Sequence, residues 1–183
     1  MKVSRRGFIQ AMVAAGGMGM ARAQGRAPQF AFGICAGLDK AEAFKAAGFE
    51  YIEGTVASTL KPNVSDAEFA PTLAALKACA LPVRACNVFF PKGFRLTGPD
   101  AAHETALDYA VKACRRADEV GLSFIVLGSG GSRRLPEGFD PSKGKEQFIA
   151  FCQKLGDRIR DCRVTVVLEP LPIRSTNLLN KVA

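Results

Sequence analysis

Val164-Thr165-Val166-Val167-Leu168, followed at once by Glu169-Pro170-Leu171, is the stretch on which the reading of this chain turns. Its run of β-branched and aliphatic residues is a buried strand, and Pro170 stops strand pairing just beyond it. A carboxylate delivered at the carboxyl end of a parallel strand sits where a (β/α) barrel keeps its chemistry. Glu169 is therefore the first candidate for a catalytic group. The chain runs on for only 14 residues, to Ala183.

Four more strands precede this one, each followed by a helical pattern. Phe30–Cys35, Phe49–Glu53, Val83–Phe90 and Phe124–Leu127 read as strands one to four. Between them, Asp39 is expected to cap a short helix that Gly48 ends. Thr55–Val64 is expected as a loop. Ser65 opens a helix to Cys79, with Glu68 three residues on as a capping box. A long helix is expected over Pro99–Val120, where Ala106, Ala110, Ala113 and Ala117 share one face and Gly121 closes it. Ser142–Arg160 reads as the next helix, and Ser175 as the start of a last one.

Continuously apolar strands alternating with helices indicate a parallel sheet covered by helices. Two architectures fit: a doubly wound open sheet of five strands, and an incomplete (β/α)8 barrel of about five βα units with parallel strands. A whole barrel takes about 250 residues, and five-eighths of that is close to the 160 residues from Gln24 to Ala183. An incomplete barrel would leave its first and fifth strands as open edges, so self-association through those edges is expected.

The N-terminus reads as an address. Ser4-Arg5-Arg6-Gly7-Phe8-Ile9 is a twin-arginine pattern, an uncharged Ala/Gly/Met run from Ala11 to Ala21 follows, and Ala21-Arg22-Ala23 is a small-x-small cleavage site. Residues 1–23 are thus expected to be a signal peptide read by the twin-arginine export machinery, residues 24–183 the mature chain, and the periplasm its location. Removing the signal takes away four basic residues and no acid, so the net charge of +8 becomes +4. Nothing left forms a dense basic block, which argues against a nucleic-acid partner. Six cysteines without a C-x-x-C pair are expected as small buried hydrophobes, since twin-arginine substrates fold before leaving the reducing cytoplasm.

Other polar groups fall on the expected rim. Glu53 ends strand two and Asn87 lies near the end of strand three. Gly128-Ser129-Gly130-Gly131, with Ser132, Arg133 and Arg134 behind it, could hold an anion or serve as an ordinary loop. His103, the single histidine, is expected on the surface. With one histidine and no G-x-S-x-G, a Ser-His-Asp hydrolase has little support. H-E-x-x-H, G-x-G-x-x-G and P-loop patterns are all missing.

Several segments resemble the sugar phosphate isomerase/epimerase group of the xylose isomerase-like TIM barrels: Gly48–Glu53, Asn87–Pro91, Gly128–Gly138, and most specifically Leu168-Glu-Pro-Leu171 with Thr176-Asn177 and Asn180–Ala183. The resemblance implies that Glu169 is a ligand of a divalent cation (Mn, Mg, Co or Zn) and moves a proton on a sugar or polyol through an enediol-type intermediate. Glu53, Asn87, Ser129 and Arg174 are the candidate substrate contacts, by their places on the expected rim or just beyond Glu169. The Asp, His and Glu ligands expected from strands six to eight have no counterpart, so this chain is expected to be an N-terminal fragment without turnover. Pro172-Ile173 and Arg174-Ser175 depart from the family's usual residues after Glu-Pro-Leu. The apurinic endonucleases share the fold but need several histidines in this half. A non-catalytic sugar- or partner-binding βα domain is the alternative.

Overall fold

The computed structural model describes residues 30–181, so the proposed signal peptide lies outside the described residues. All of them but Phe30 belong to the unit that begins at Ala31. Its strands are β1 (Gly33–Cys35), β2 (Tyr51–Thr55), β3 (Val83–Asn87), β4 (Phe124–Leu127) and β5 (Thr165–Leu168). They form one parallel sheet in the order β1-β2-β3-β4-β5. A doubly wound sheet reverses its strand order at a switch point. This sheet never does, and the open-sheet alternative falls.

The helices are α1 (Ala41–Ala46), α2 (Asp66–Lys77), α3 (His103–Val120) and α4 (Pro141–Arg158). They cover one face of the sheet. Ile52, Cys86, Ile125 and Leu127 point to that face and are fully buried against Leu107, Ala110, Ala113, Ala117 and Phe151. The neighbours in each strand point the other way and are less covered: Phe124 is 48% and Val167 39% exposed. The register puts Cys35 beside Glu53, Glu53 beside Ala85 and Ala85 beside Phe124 along this second, open face. Alternate strand residues face opposite ways, so the open face corresponds to the inside of a barrel. Among the described residues β1 and β5 each have a single neighbour. The fold is α/β, five parallel strands of a partial barrel.

Local chemistry sets most boundaries as read. Ser65 Oγ accepts from Glu68 N (3.3 Å) while Glu68 Oε2 accepts from Ser65 N (2.9 Å), the full capping box of α2. Gly121 takes φ 80° and closes α3. Asp140 Oδ1 accepts from Ser142 N to start α4.

Two strand ends move: β2 runs past Glu53 to Thr55, and β3 stops at Asn87, not Phe90, because Val88 turns into the left-handed region. Four further expectations change. The Asp39 side chain makes no capping bond; Leu38–Lys40 is a 3-10 turn leading into α1. The expected loop after β2 contains a wide helical turn, Val56–Leu60, ended by Lys61 in the left-handed region at φ 45°. α3 starts at His103, not Pro99, because Gln147 of α4 bonds both the N–H and the carbonyl of Gly98 and holds that segment as loop. No helix starts at Ser175 among the described residues. Asn180 Nδ2 donates to the carbonyls of Leu171 and Thr176, and Asn177 pairs with Leu135 N and O. Those side chains take backbone groups that a helix would need.

Candidate functional site

The carboxyl ends of β1, β2 and β3 enclose a cavity of about 330 Å³ lined by Cys35, Glu53, Thr55, Ser58, Thr59 and Asn87. The structure thus brings Glu53 and Asn87 together, Glu53 from the middle of β2 and Asn87 from the last residue of β3, both on the open face. Cys35 joins them. Its thiol donates to Glu53 Oε2 at 2.8 Å, and Asn87 Nδ2 lies 3.9 Å from the same sulfur. Bonding to Glu53, partial burial and the Glu53 charge together push the Cys35 thiol up to about 11. Asn87 Oδ1 is buried and has no protein partner, an acceptor left over for a bound hydroxyl.

The cavity wall is built by the turn Val56–Leu60. A Cβ on Gly54 would stand 2.1 Å from Thr59 Oγ1, so the turn sits on β2 only because residue 54 has no side chain. The turn is held from below by Arg116, 3% exposed, which donates to the carbonyls of Leu60, Lys61 and Val64 and pairs with Asp66 at 2.7 Å. Its guanidinium lies 4.2 Å above the Phe69 ring.

Ser129 lines a second cavity, of about 280 Å³, with Phe90, Lys92, Phe94 and Arg95. Its Oγ accepts from Phe90 N at 2.8 Å. Ser129 has φ 26°, and Val88 has φ 48° one residue after Asn87. A β-branched residue in the left-handed region is a backbone outlier, and outliers gather at functional rims. Val88 turns the chain so that Phe89 and Phe90 both enter the core, their rings stacked 4.7 Å apart.

Glu169 extends the β4–β5 ladder by one step, its N–H donating to Leu127 O at 3.3 Å. Its side chain is exposed and lines neither cavity. Arg174 is exposed as well, and its carbonyl accepts from Arg134. Of the two arginines expected as possible anion contacts, Arg134 is exposed and Arg133 is corrected. Arg133 has no exposed surface; it stacks over Phe148 and donates to the Glu169 carbonyl at 2.5 Å. Burial pushes its guanidinium below the usual range, while the Glu169 charge works against that shift. His103 is not a surface residue either: its Nε2 bonds Leu96 O at 2.8 Å and its ring meets Phe151 edge-on.

The cysteine expectation holds for Cys86 and Cys114, which are buried and pushed up to about 12, chiefly by burial. It fails for Cys35, which is exposed at the rim. The alternation of β1, read against β2, was the signal that could have placed Cys35 beside Glu53. Among the described residues no three His, Cys, Asp or Glu side chains converge. Glu169 offers one oxygen donor of the right kind for a divalent cation, but a cation takes several. The described residues alone do not make that site.

A family model described as xylose isomerase-like TIM barrel matches residues 41–183. Among solved structures, the chain is similar to the 3-keto-D-glucoside 4-epimerase YcjR of E. coli, with 19% identity and a TM-score of 0.60 over 78% of this chain and 57% of that one. A D-psicose 3-epimerase shows 17% identity and a TM-score of 0.66 over 82% and 56%. The D-psicose 3-epimerase of Clostridium cellulolyticum H10 shows 15% and 0.59 over 82% and 56%. The chain therefore spans a little over half the length of these structures, and at such identities the likeness concerns the fold. Among curated proteins no match is found.

Proposed function

The chain belongs to the xylose isomerase-like TIM barrel family, and from that premise we propose that the protein acts as an isomerase or epimerase of a sugar or sugar phosphate. Glu169 is the proton-transfer group and Glu53, Asn87, Ser129 and Arg174 contact substrate. The observation that carries this is the placement of the Glu169 carboxylate at the mouth of β5, on the carboxyl rim shared with the Glu53–Asn87 cavity. The similar solved structures that are described as sugar epimerases support the substrate class.

In this reading the ionised carboxylate of Glu169 takes the proton from a carbon next to the substrate carbonyl, and an enediol-type intermediate forms. Return of a proton to the neighbouring carbon or to the other face gives isomerisation or epimerisation. Asn87 suits a sugar hydroxyl, with an amide donor and a free buried acceptor, and Glu53 accepts a second. The proposal includes a divalent cation (Mn, Mg, Co or Zn) at Glu169. Because the described residues supply one donor, no step is assigned to it.

The test is deuterium exchange. The protein is incubated in D2O with a panel of ketoses, aldoses and their phosphates, with each cation in turn. Abstraction and return of a proton on one face need a single base, so slow incorporation beside the carbonyl should occur without net isomerisation or epimerisation by this chain, and should fall about 10²–10⁴-fold in Glu169→Gln. Exchange retained in that variant would overturn the assignment. The Glu53–Asn87 cavity also supports a second reading, a βα domain that binds a sugar without turnover. That reading predicts saturable sugar binding, lost in Asn87→Ala, with no exchange.

A further inference from the structure

The loop after β4 treats the segment after β5 in an unusual way. Gly128 lies beside Glu169 in the ladder, and a Cβ there would stand 2.2 Å from Glu169 Oε2. Gly128 is not in the left-handed region, so the backbone does not need glycine at this place. The carboxylate needs the space. Five residues on, Arg133 donates to the Glu169 carbonyl, and its Nε and Nη1 are buried without partners. A guanidinium with no exposed surface and unpaired N–H groups is costly. An aliphatic side chain would fill the volume over Phe148 with less penalty. No solvent anion reaches it, so its contact is the backbone of residue 169. Further along, Arg134 donates to the Arg174 carbonyl, and Asn177 pairs with Leu135 N and O.

We propose that Gly128 and Arg133 are positioning residues for Glu169: Arg133 clamps its carbonyl from the buried side, and Gly128 leaves the seat in which its carboxylate lies across the β4 rim. This rests on the reading of Glu169 as the proton-transfer group. Arg133, behind the Gly128–Gly131 loop, is thereby a splint for the acid–base residue. The clamp fixes the backbone from which the carboxylate projects, and misplacing a catalytic group by about 1 Å can cost on the order of 10²-fold in rate.

The experiment uses the full chain labelled with ¹³C at glutamate carboxyl carbons, the Glu169 signal being the one lost in Glu169→Gln. Gly128→Ala should move that signal while the melting temperature changes by less than about 4 °C, because the clash is with the free end of a side chain. Arg133→Met should move it as well, and Arg133→Lys, which keeps a donor, should leave it closer to the parent. Deuterium exchange in Gly128→Ala should fall at least about tenfold in kcat with KM little changed. A Glu169 signal unmoved in Gly128→Ala overturns the proposal, and this variant decides alone if Arg133→Met does not fold. Exchange that survives in Glu169→Gln instead sinks the catalytic role of Glu169, whatever the carboxyl signal does. The two failures are thus told apart.

Discussion

Replacing Arg116 by Met should loosen the wall of the Glu53–Asn87 cavity and lower stability by about 3–4 kcal/mol. Arg116 reaches the turn after β2 from α3, donating to Leu60 O at 3.0 Å, to Lys61 O and to Val64 O at 3.0 Å. Val64 O keeps Lys112 Nζ at 2.6 Å and Lys61 O keeps Val64 N at 3.1 Å, so of the three carbonyls that lose the guanidinium Leu60 O depends on it most. Each hydrogen bond to a charged donor contributes about 1.5–3 kcal/mol, and the loop can relax toward water by part of that. Met fills much of the volume over Phe69, so packing loss adds little. For a chain of this size about 2–4 °C of melting temperature goes with each kcal/mol, which sets the expected fall near 10 °C. Thermal and urea melts followed by circular dichroism give the number, and hydrogen exchange should show amides 56–64 losing protection first. Asp66→Asn should do far less, since Asp66 is exposed and its pairing is screened by water. A midpoint for Arg116→Met within about 3 °C of the parent would refute the clamp.

Two further outcomes are expected. Alkylation of Cys35 by iodoacetamide at pH 8 should be slow, because its thiol sits near 11. Glu53→Gln removes the charge and replaces the carboxylate acceptor by a weaker amide one, so the rate should climb and its pH midpoint move down, as mass spectrometry of the labelled peptide would show; an unchanged rate would break the Cys35–Glu53 pairing. Arg5→Lys combined with Arg6→Lys should keep the precursor in the cytoplasm on fractionation, and unchanged export would end the proposal of a twin-arginine signal and a periplasmic protein.

Strand β4 was legible to the residue, and α3 and α4 nearly so, because apolar periodicity, capping side chains and Gly121 are local signals that survive any tertiary arrangement. The Glu169 candidate came from the same source: a strand pattern names its own carboxyl end. Strand order was another matter. Five apolar strands alternating with helices fit an open sheet as well as a barrel, and only pairing of each strand with the next in sequence chose between them. The Cys35–Glu53–Asn87 grouping depends on register, since a shift of one residue would turn Cys35 to the helix side. Arg116 and Arg133 look like surface cations in the sequence. Their burial is decided by elements about 36 to 56 residues away, whose carbonyls no local pattern could have announced. Local sequence located each strand and the carboxylate at the mouth of the fifth, though not the ends of β2 and β3; long-range packing decided which side chains meet there, because a hydrogen bond between distant segments exists only once the sheet has closed the distance.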